Sequence, residues 1–264
     1  MGSFLNVIAF ELEENVFKNK EERKKKGIKS FWERINRRSH CNTCGHRLEV
    51  LDLFPIFSYI FTLGKCRHCG AKFSSRYLLV EIFSGIIFMG LFYKIFFGVL
   101  DSEFLINFIS LTFIFSGLIL IFLFDLKHKI IPNLVIYPLY VLSLIYLFFN
   151  NLLNLEVILY AIVWALPFWG LWFISSGKWM GYADWKLVLL LGLFLGDLGK
   201  IYSFGMLSFW YGVLYAVPLM YLSKKYKMNS EIPFGPFIIL SFLTVYIFDI
   251  NILELTSKFM GLFG

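Results

Sequence analysis

The chain has 264 residues, of which 58% are hydrophobic, 20% aromatic and only 16% charged, a composition that excludes a protein whose main solvent is water. Its formal net charge is +7, yet 15 of the 25 Lys and Arg fall between Lys18 and Arg76. A basic loop beside apolar spans is first a mark of the cytoplasmic side of a membrane, so the charge does not argue for nucleic acid as a partner.

In chain order, Met1 to Phe10 is apolar enough to be embedded but too short to cross. It reads as part of a first transmembrane segment, either lacking upstream residues or re-entrant. It runs into acidic residues, not a small-residue cleavage site, so no cleavable signal peptide is expected. Residues 11 to 38 are charged with helical potential, a solvated stretch lying on anionic lipid. Spans are expected at 78–99, 104–125, 131–149, 155–175, 184–199, 202–222 and 236–256, each a run of apolar residues. Unalternating runs of this length must be helical, because a bilayer supplies no partner for stray backbone groups and barrel strands are about half as long. The fold class is therefore all-α, a polytopic transmembrane bundle. Its domains are 1–10, the partial first segment; 11–77, a basic cytoplasmic loop; and 78–264, the multi-span part. Alternating sides leaves Lys127, Lys129, Lys178 and the Lys224, Lys225, Lys227 cluster in the cytoplasm. Lys94 and Lys200 break the rule, and their long side chains are expected to reach the interface.

Four cysteines carry the clearest metal signal. Cys41-x2-Cys44 is followed, after 21 residues, by Cys66-x2-Cys69. Two such knuckles set four thiolates tetrahedrally, with zinc the usual occupant. Gly45 and Gly70 follow each pair where a tight turn favours glycine. Disulfides are the rival reading, disfavoured on a reducing side. A closed four-thiolate site leaves no open coordination position, so its role is structural.

Acids within or at the ends of spans are costly and tend to be functional. Glu81, Asp125, Asp184, Asp197 and Asp249 qualify. Topology puts Asp125 and Asp184 at cytoplasmic ends of spans and Asp197 and Asp249 towards the outer side. Taken singly, Asp184 caps a helix and Asp125 pairs with Lys127 or Lys129. Taken together, two carboxylates brought within a few ångströms share one proton, one acting as general base on water and the other as general acid on a peptide carbonyl. The two are 59 positions apart, and spacing alone does not bring them together.

At these residues the sequence resembles the type IV prepilin peptidases. The resemblance runs through Gly2-Ser3-Phe4-Leu5-Asn6-Val7, the paired knuckles, Ser75 to Glu81, Asp125 to Pro132, Gly181 to Leu187 and Pro233-Phe234-Gly235-Pro236. It implies that Asp125 and Asp184 are the catalytic pair of a GxGD-type membrane aspartyl peptidase. It further implies cleavage of a basic leader from prepilins or pseudopilins at the cytoplasmic face of the inner membrane. The cysteine-bearing loop accompanies family members that also methylate the new N-terminus, which implies S-adenosylmethionine as a second cofactor. Gly181, Lys186 and Glu81 fall in matching positions as supporting residues, Lys186 either steadying an ionised carboxylate or snorkelling towards headgroups. Ala183 stands where the family has the second glycine of GxGD, and Leu78 where it has a proline.

Two other classes compete. A proton-relay transporter would use Asp125, Asp184, Asp197 and Asp249, but these acids lie near span ends and not at the midplane. A non-catalytic scaffold of a pilus or secretion system draws on Ala183. His128 reads as an ordinary solvent-facing residue, and Trp164, Trp169 and Trp172 as packing or lipid contacts. No oligomeric state is read from the sequence.

Overall fold

The computed structural model describes residues 5, 8, 9, 12, 40, 41, 43–49, 52, 54, 56–98, 104–222 and 232–261. Most of the opening segment 1–10, most of the charged stretch 11–38 and the Lys224, Lys225, Lys227 cluster lie outside the described residues. The described secondary structure is helical, joined only by two isolated antiparallel bridges, His40 to Arg47 and Lys65 to Lys72. The chain separates into two compact units, Met1–Phe92 and Tyr93–Gly264.

In the first unit, a short helix α1 (Phe57–Phe61) precedes a long helix α2 (Ser75–Gly98), which continues into the second unit. Helix α2 starts three residues ahead of the expected span because Ser74 Oγ accepts the Arg76 N–H at 3.3 Å. The second unit then runs α3 (Phe104–His128), α4 (Asn133–Phe149), α5 (Leu155–Ser175), α6 (Asp184–Leu195), α7 (Leu198–Leu222), α8 (Gly235–Phe248) and α9 (Ile252–Gly261).

Among the described residues, four apolar helical segments are long enough to cross a membrane: Leu78–Phe96, Leu105–His128, Leu155–Ser175 and Leu198–Leu222. The chain is a multi-pass membrane protein with an all-helical fold. Two expected spans are corrected. Residues 184–199 do not form one span, because α6 has 12 residues and ends at Gly196, whose φ of 65° breaks the helix. At about 1.5 Å per residue it reaches about 18 Å, well short of a hydrocarbon core of roughly 30 Å. The expected span 236–256 is a broken one, α8 and α9 meeting at 55°. Helix α4 is also short, at 17 residues with Pro138 inside.

The shortness of α6 follows from where it sits. Leu187, Val188, Leu190 and Leu191 are fully buried, and α6 is packed by α4, α5, α7 and α8. Small residues let backbones approach. A Cβ on Gly192 would come 3.2 Å from Ala161 Cβ of α5, and one on Gly205 of α7 would overlap the Trp164 ring of α5. A helix enclosed this way has no lipid-facing side and needs no full transmembrane length. The residue that begins it, Asp184, is thereby held inside the bundle.

Candidate active site and metal centre

Helix α3 carries Asp125 in its last turn. The helix ends because Lys129, donating its N–H to Asp125 O at 2.8 Å, takes a φ of 55°, and Pro132 then bars continuation before α4. Asp125 is buried, and its Oδ2 makes no hydrogen bond. Such a bare buried carboxylate oxygen is costly, and so calls for a chemical reason.

Asp184 is the first residue of α6 and is buried as well. Its Oδ2 accepts the Gly181 N–H at 3.0 Å, while its own N–H donates to Gly181 O at 3.2 Å. This reciprocal turn fixes the carboxylate at the start of the helix. A Cβ on Gly181 would stand 3.2 Å from Asp184 Oδ2, so glycine is favoured there by space. Ala183 lies at φ −86° and ψ −15°, ordinary right-handed backbone that imposes no demand for glycine.

Helix α8 completes the arrangement by packing on both α3 and α6. It starts at Gly235, with Pro236 in its first turn. A Cβ on Gly235 would lie 2.5 Å from Asp125 Oδ2, which places the amino end of α8 directly against that carboxylate. Phe234, just ahead of it, is wedged among Phe209 at 5.5 Å, Phe237 at 6.2 Å and Phe168 at 6.4 Å between ring centroids. Helix α8 thus links the helices that carry two acids 59 positions apart in sequence, since it packs on both α3 and α6. Helix amino ends at both carboxylates favour negative charge there. Gly235 is the site residue that sequence reasoning passed over. It was visible in Pro233-Phe234-Gly235-Pro236, but its partner Asp125 is 110 positions away.

The remaining acids have structural employment. Asp197 Oδ1 accepts the Gly199 N–H at 2.7 Å at the start of α7. Asp249, at the other end of α8 from Asp125, is 2.7 Å from Lys200 Nζ and 3.9 Å from Lys94 Nζ. The two lysines expected to snorkel thus converge on one carboxylate. Lys94 Nζ also donates to Tyr246 O, meeting a carbonyl left free in the last turn of α8.

Lys186 is buried. Its Nζ donates to Tyr137 Oη at 3.2 Å and sits 4.5 Å from the Tyr182 ring centroid, so its ammonium is engaged with tyrosines and does not snorkel. Glu81 lies in the second turn of α2, and its Oε2 accepts the Ile56 N–H at 2.8 Å. It holds a β-branched residue at φ 64°, so its work is on the loop ahead of α2. His128 is half-buried, its ring 5.0 Å from that of Phe124, and not solvent-facing.

In the first unit the two knuckles repeat one geometry. Gly45 N–H donates to Cys41 O and Gly70 N–H to Cys66 O, both at 2.9 Å, and each glycine has a φ of 69°. The cysteines are unbridged, and the Sγ atoms of Cys41, Cys44, Cys66 and Cys69 all lie within 4.8 Å of one another. A tetrahedral ion with bonds of about 2.3 Å requires sulfurs about 3.8 Å apart. Cys41 Sγ and Cys69 Sγ are 3.8 Å apart, so the donor set fits a metal ion. The Cys44 N–H, then that of Thr43, hold the Cys41 thiol down at about 6.

Residues 1–95 match the Bacterial Peptidase A24 N-terminal domain. The Type IV leader peptidase family matches residues 112–220. The chain is similar to a prepilin leader peptidase/N-methyltransferase of Dichelobacter nodosus, 28% identical over 98% of this chain and 92% of that protein. Proteins with that name from Vibrio cholerae, 28% identical over 93% of this chain and 92% of theirs, and Pseudomonas aeruginosa, 28% over 90% and 83%, are similar too. No solved structure matches. The two matched regions together cover residues 1–95 and 112–220, and the chain belongs to the type IV leader peptidase family.

Proposed function

We propose that this protein is an aspartyl endopeptidase of the inner membrane that removes the basic leader of type IV prepilins or pseudopilins at the cytoplasmic face. The observation that carries the reading is the pair of buried acids, Asp125 with a bare Oδ2 against the amino end of α8 and Asp184 held by Gly181 at the start of α6. In this reaction one carboxylate takes a proton from water as it attacks the scissile carbonyl. The other, protonated, donates to the carbonyl oxygen; as the tetrahedral intermediate collapses, the first carboxylate passes the proton it took from water to the leaving amine and the second recovers its own from the gem-diol hydroxyl. Burial excludes bulk water and strengthens both interactions.

The four-cysteine site holds zinc in a structural role, within a cytoplasmic loop spanning 11–77 and ahead of a peptidase domain at 78–264. The names of the relatives extend the proposal to N-methylation of the mature end, for which S-adenosylmethionine supplies the methyl group when bound. The scaffold alternative rested on Ala183. That residue occupies backbone open to any side chain, so no specific observation favours it.

The test is the intact mass of a prepilin incubated in membranes with the parent protein, Asp125→Asn or Asp184→Asn, with and without S-adenosylmethionine. Loss of the leader with the parent and with neither variant is expected, together with a methyl gain that requires the methyl donor. Cleavage surviving either substitution, with the variant folded and carrying its metal, would overturn the dyad.

A further inference from the structure

Between the knuckles the chain carries Phe54, Phe57, Ile60, Phe61 and Leu63, which are 55, 55, 55, 78 and 80% exposed. Helix α1 buries none of its residues. Five large apolar side chains bared within ten residues are unusual on a surface meant for water.

The surroundings identify what covers them. Glu81 Oε2 binds the Ile56 N–H at 2.8 Å, and the membrane-length segment of α2 begins at Leu78. Helix α1 therefore starts beside the first turns of a span, at the level where acyl chains give way to headgroups. The apolar stretch is followed by Lys65 and Lys72, both exposed and opposite one another across an antiparallel bridge, and by exposed Arg76 in the first turn of α2. Rings in the acyl region with ammonium and guanidinium groups at phosphate level are how an interfacial segment meets an anionic leaflet. The same cations disfavour the other apolar occupant, a hydrophobic peptide segment behind a basic leader, because like charges would face each other.

We propose that residues 54–63 are an interfacial anchor that dips into an anionic lipid leaflet and holds the metal knuckles against the membrane surface. The full chain would be reconstituted in vesicles of phosphatidylethanolamine and phosphatidylglycerol, with photoreactive benzoylphenylalanine replacing Phe61, Leu63 or, as control, Glu49. Metal content equal to the parent's would certify the fold of each variant. Irradiation is expected to give lipid adducts by mass at positions 61 and 63 and not at 49, with the ratio of phosphatidylglycerol to phosphatidylethanolamine adducts about fivefold or more above that ratio in the vesicle. A Phe61→Trp variant reads the same contact independently, through quenching by brominated acyl chains beyond that of the parent. Adduct yields at 61 and 63 no higher than at 49, parent-level quenching, or capture of an added prepilin peptide in place of lipid would each overturn the anchor.

Discussion

Gly235 lies against the Asp125 carboxylate so closely that a methyl on its Cα would come 2.5 Å from Oδ2 and 3.2 Å from Cγ. Both residues are buried, so neither moves into free space. Gly235→Ala is expected to displace the carboxylate and not to unfold the bundle. Misplacing a catalytic group by about 1 Å costs on the order of 100-fold, and kcat/KM for prepilin cleavage should fall by about that much, with near-parental thermal unfolding. Retention of parental kcat/KM would show that the amino end of α8 does not set Asp125.

The loop before α6 allows a sharper contrast. Gly181→Ala would put a methyl 3.2 Å from Asp184 Oδ2, tight enough to shift the carboxylate by a few tenths of an ångström, so cleavage should weaken less than for Gly235→Ala. Ala183→Gly changes no contact of either acid. Its turnover should match the parent's, and its stability should change by no more than about 1 kcal/mol, since glycine's larger unfolded-state entropy offsets its better fit at a helix N-cap. A gain of turnover in Ala183→Gly would show that the second glycine matters after all.

Much of this arrangement was legible in the sequence because it is local. Apolar run length exposed the long helices, and CxxC spacing exposed the metal site. Asp125 and Asp184 stood out as acids at helix ends. What was not legible is long-range. The enclosure of α6, which makes a 12-residue helix stable inside the bundle, depends on contacts such as Gly192 with Ala161. The break between α8 and α9 falls at Asp249, whose left-handed backbone ends α8 and whose carboxylate meets Lys94 and Lys200 from distant parts of the chain. An apolar stretch reads the same by hydropathy whether or not it is interrupted.

That break makes its own prediction. Asp249 ends α8 at φ 57° and is paired with Lys200 and Lys94. Its side chain is 64% exposed, so solvent screens the pairs and together they contribute no more than about 1 kcal/mol. The left-handed backbone adds a cost of about 1 to 2 kcal/mol for a residue such as alanine, which asparagine largely avoids. Asp249→Asn should therefore lower stability by less than about 1 kcal/mol, and Asp249→Ala by visibly more, in denaturant unfolding in detergent. Equal losses would mean that charge, and not backbone conformation, is what Asp249 supplies.

Metal binding should carry the signature of Cys41. A thiolate ligand must lose its proton before or as the ion binds. With its thiol at about 6, Cys41 is protonated below that pH in the metal-free protein and deprotonated above it. Below pH 6 the ion must displace that proton. Above it the thiolate is ready, so the Cys41 contribution to proton release per ion should drop by about one between about pH 5 and about pH 7. Calorimetric titration of metal-free protein with zinc, in buffers of different ionisation heat, reads that number. In Cys41→Ser the step should vanish while the other three thiols still release theirs. An unchanged step in Cys41→Ser would assign the acidic thiol to another member of the cluster and remove the Cys44 and Thr43 N–H groups as its cause.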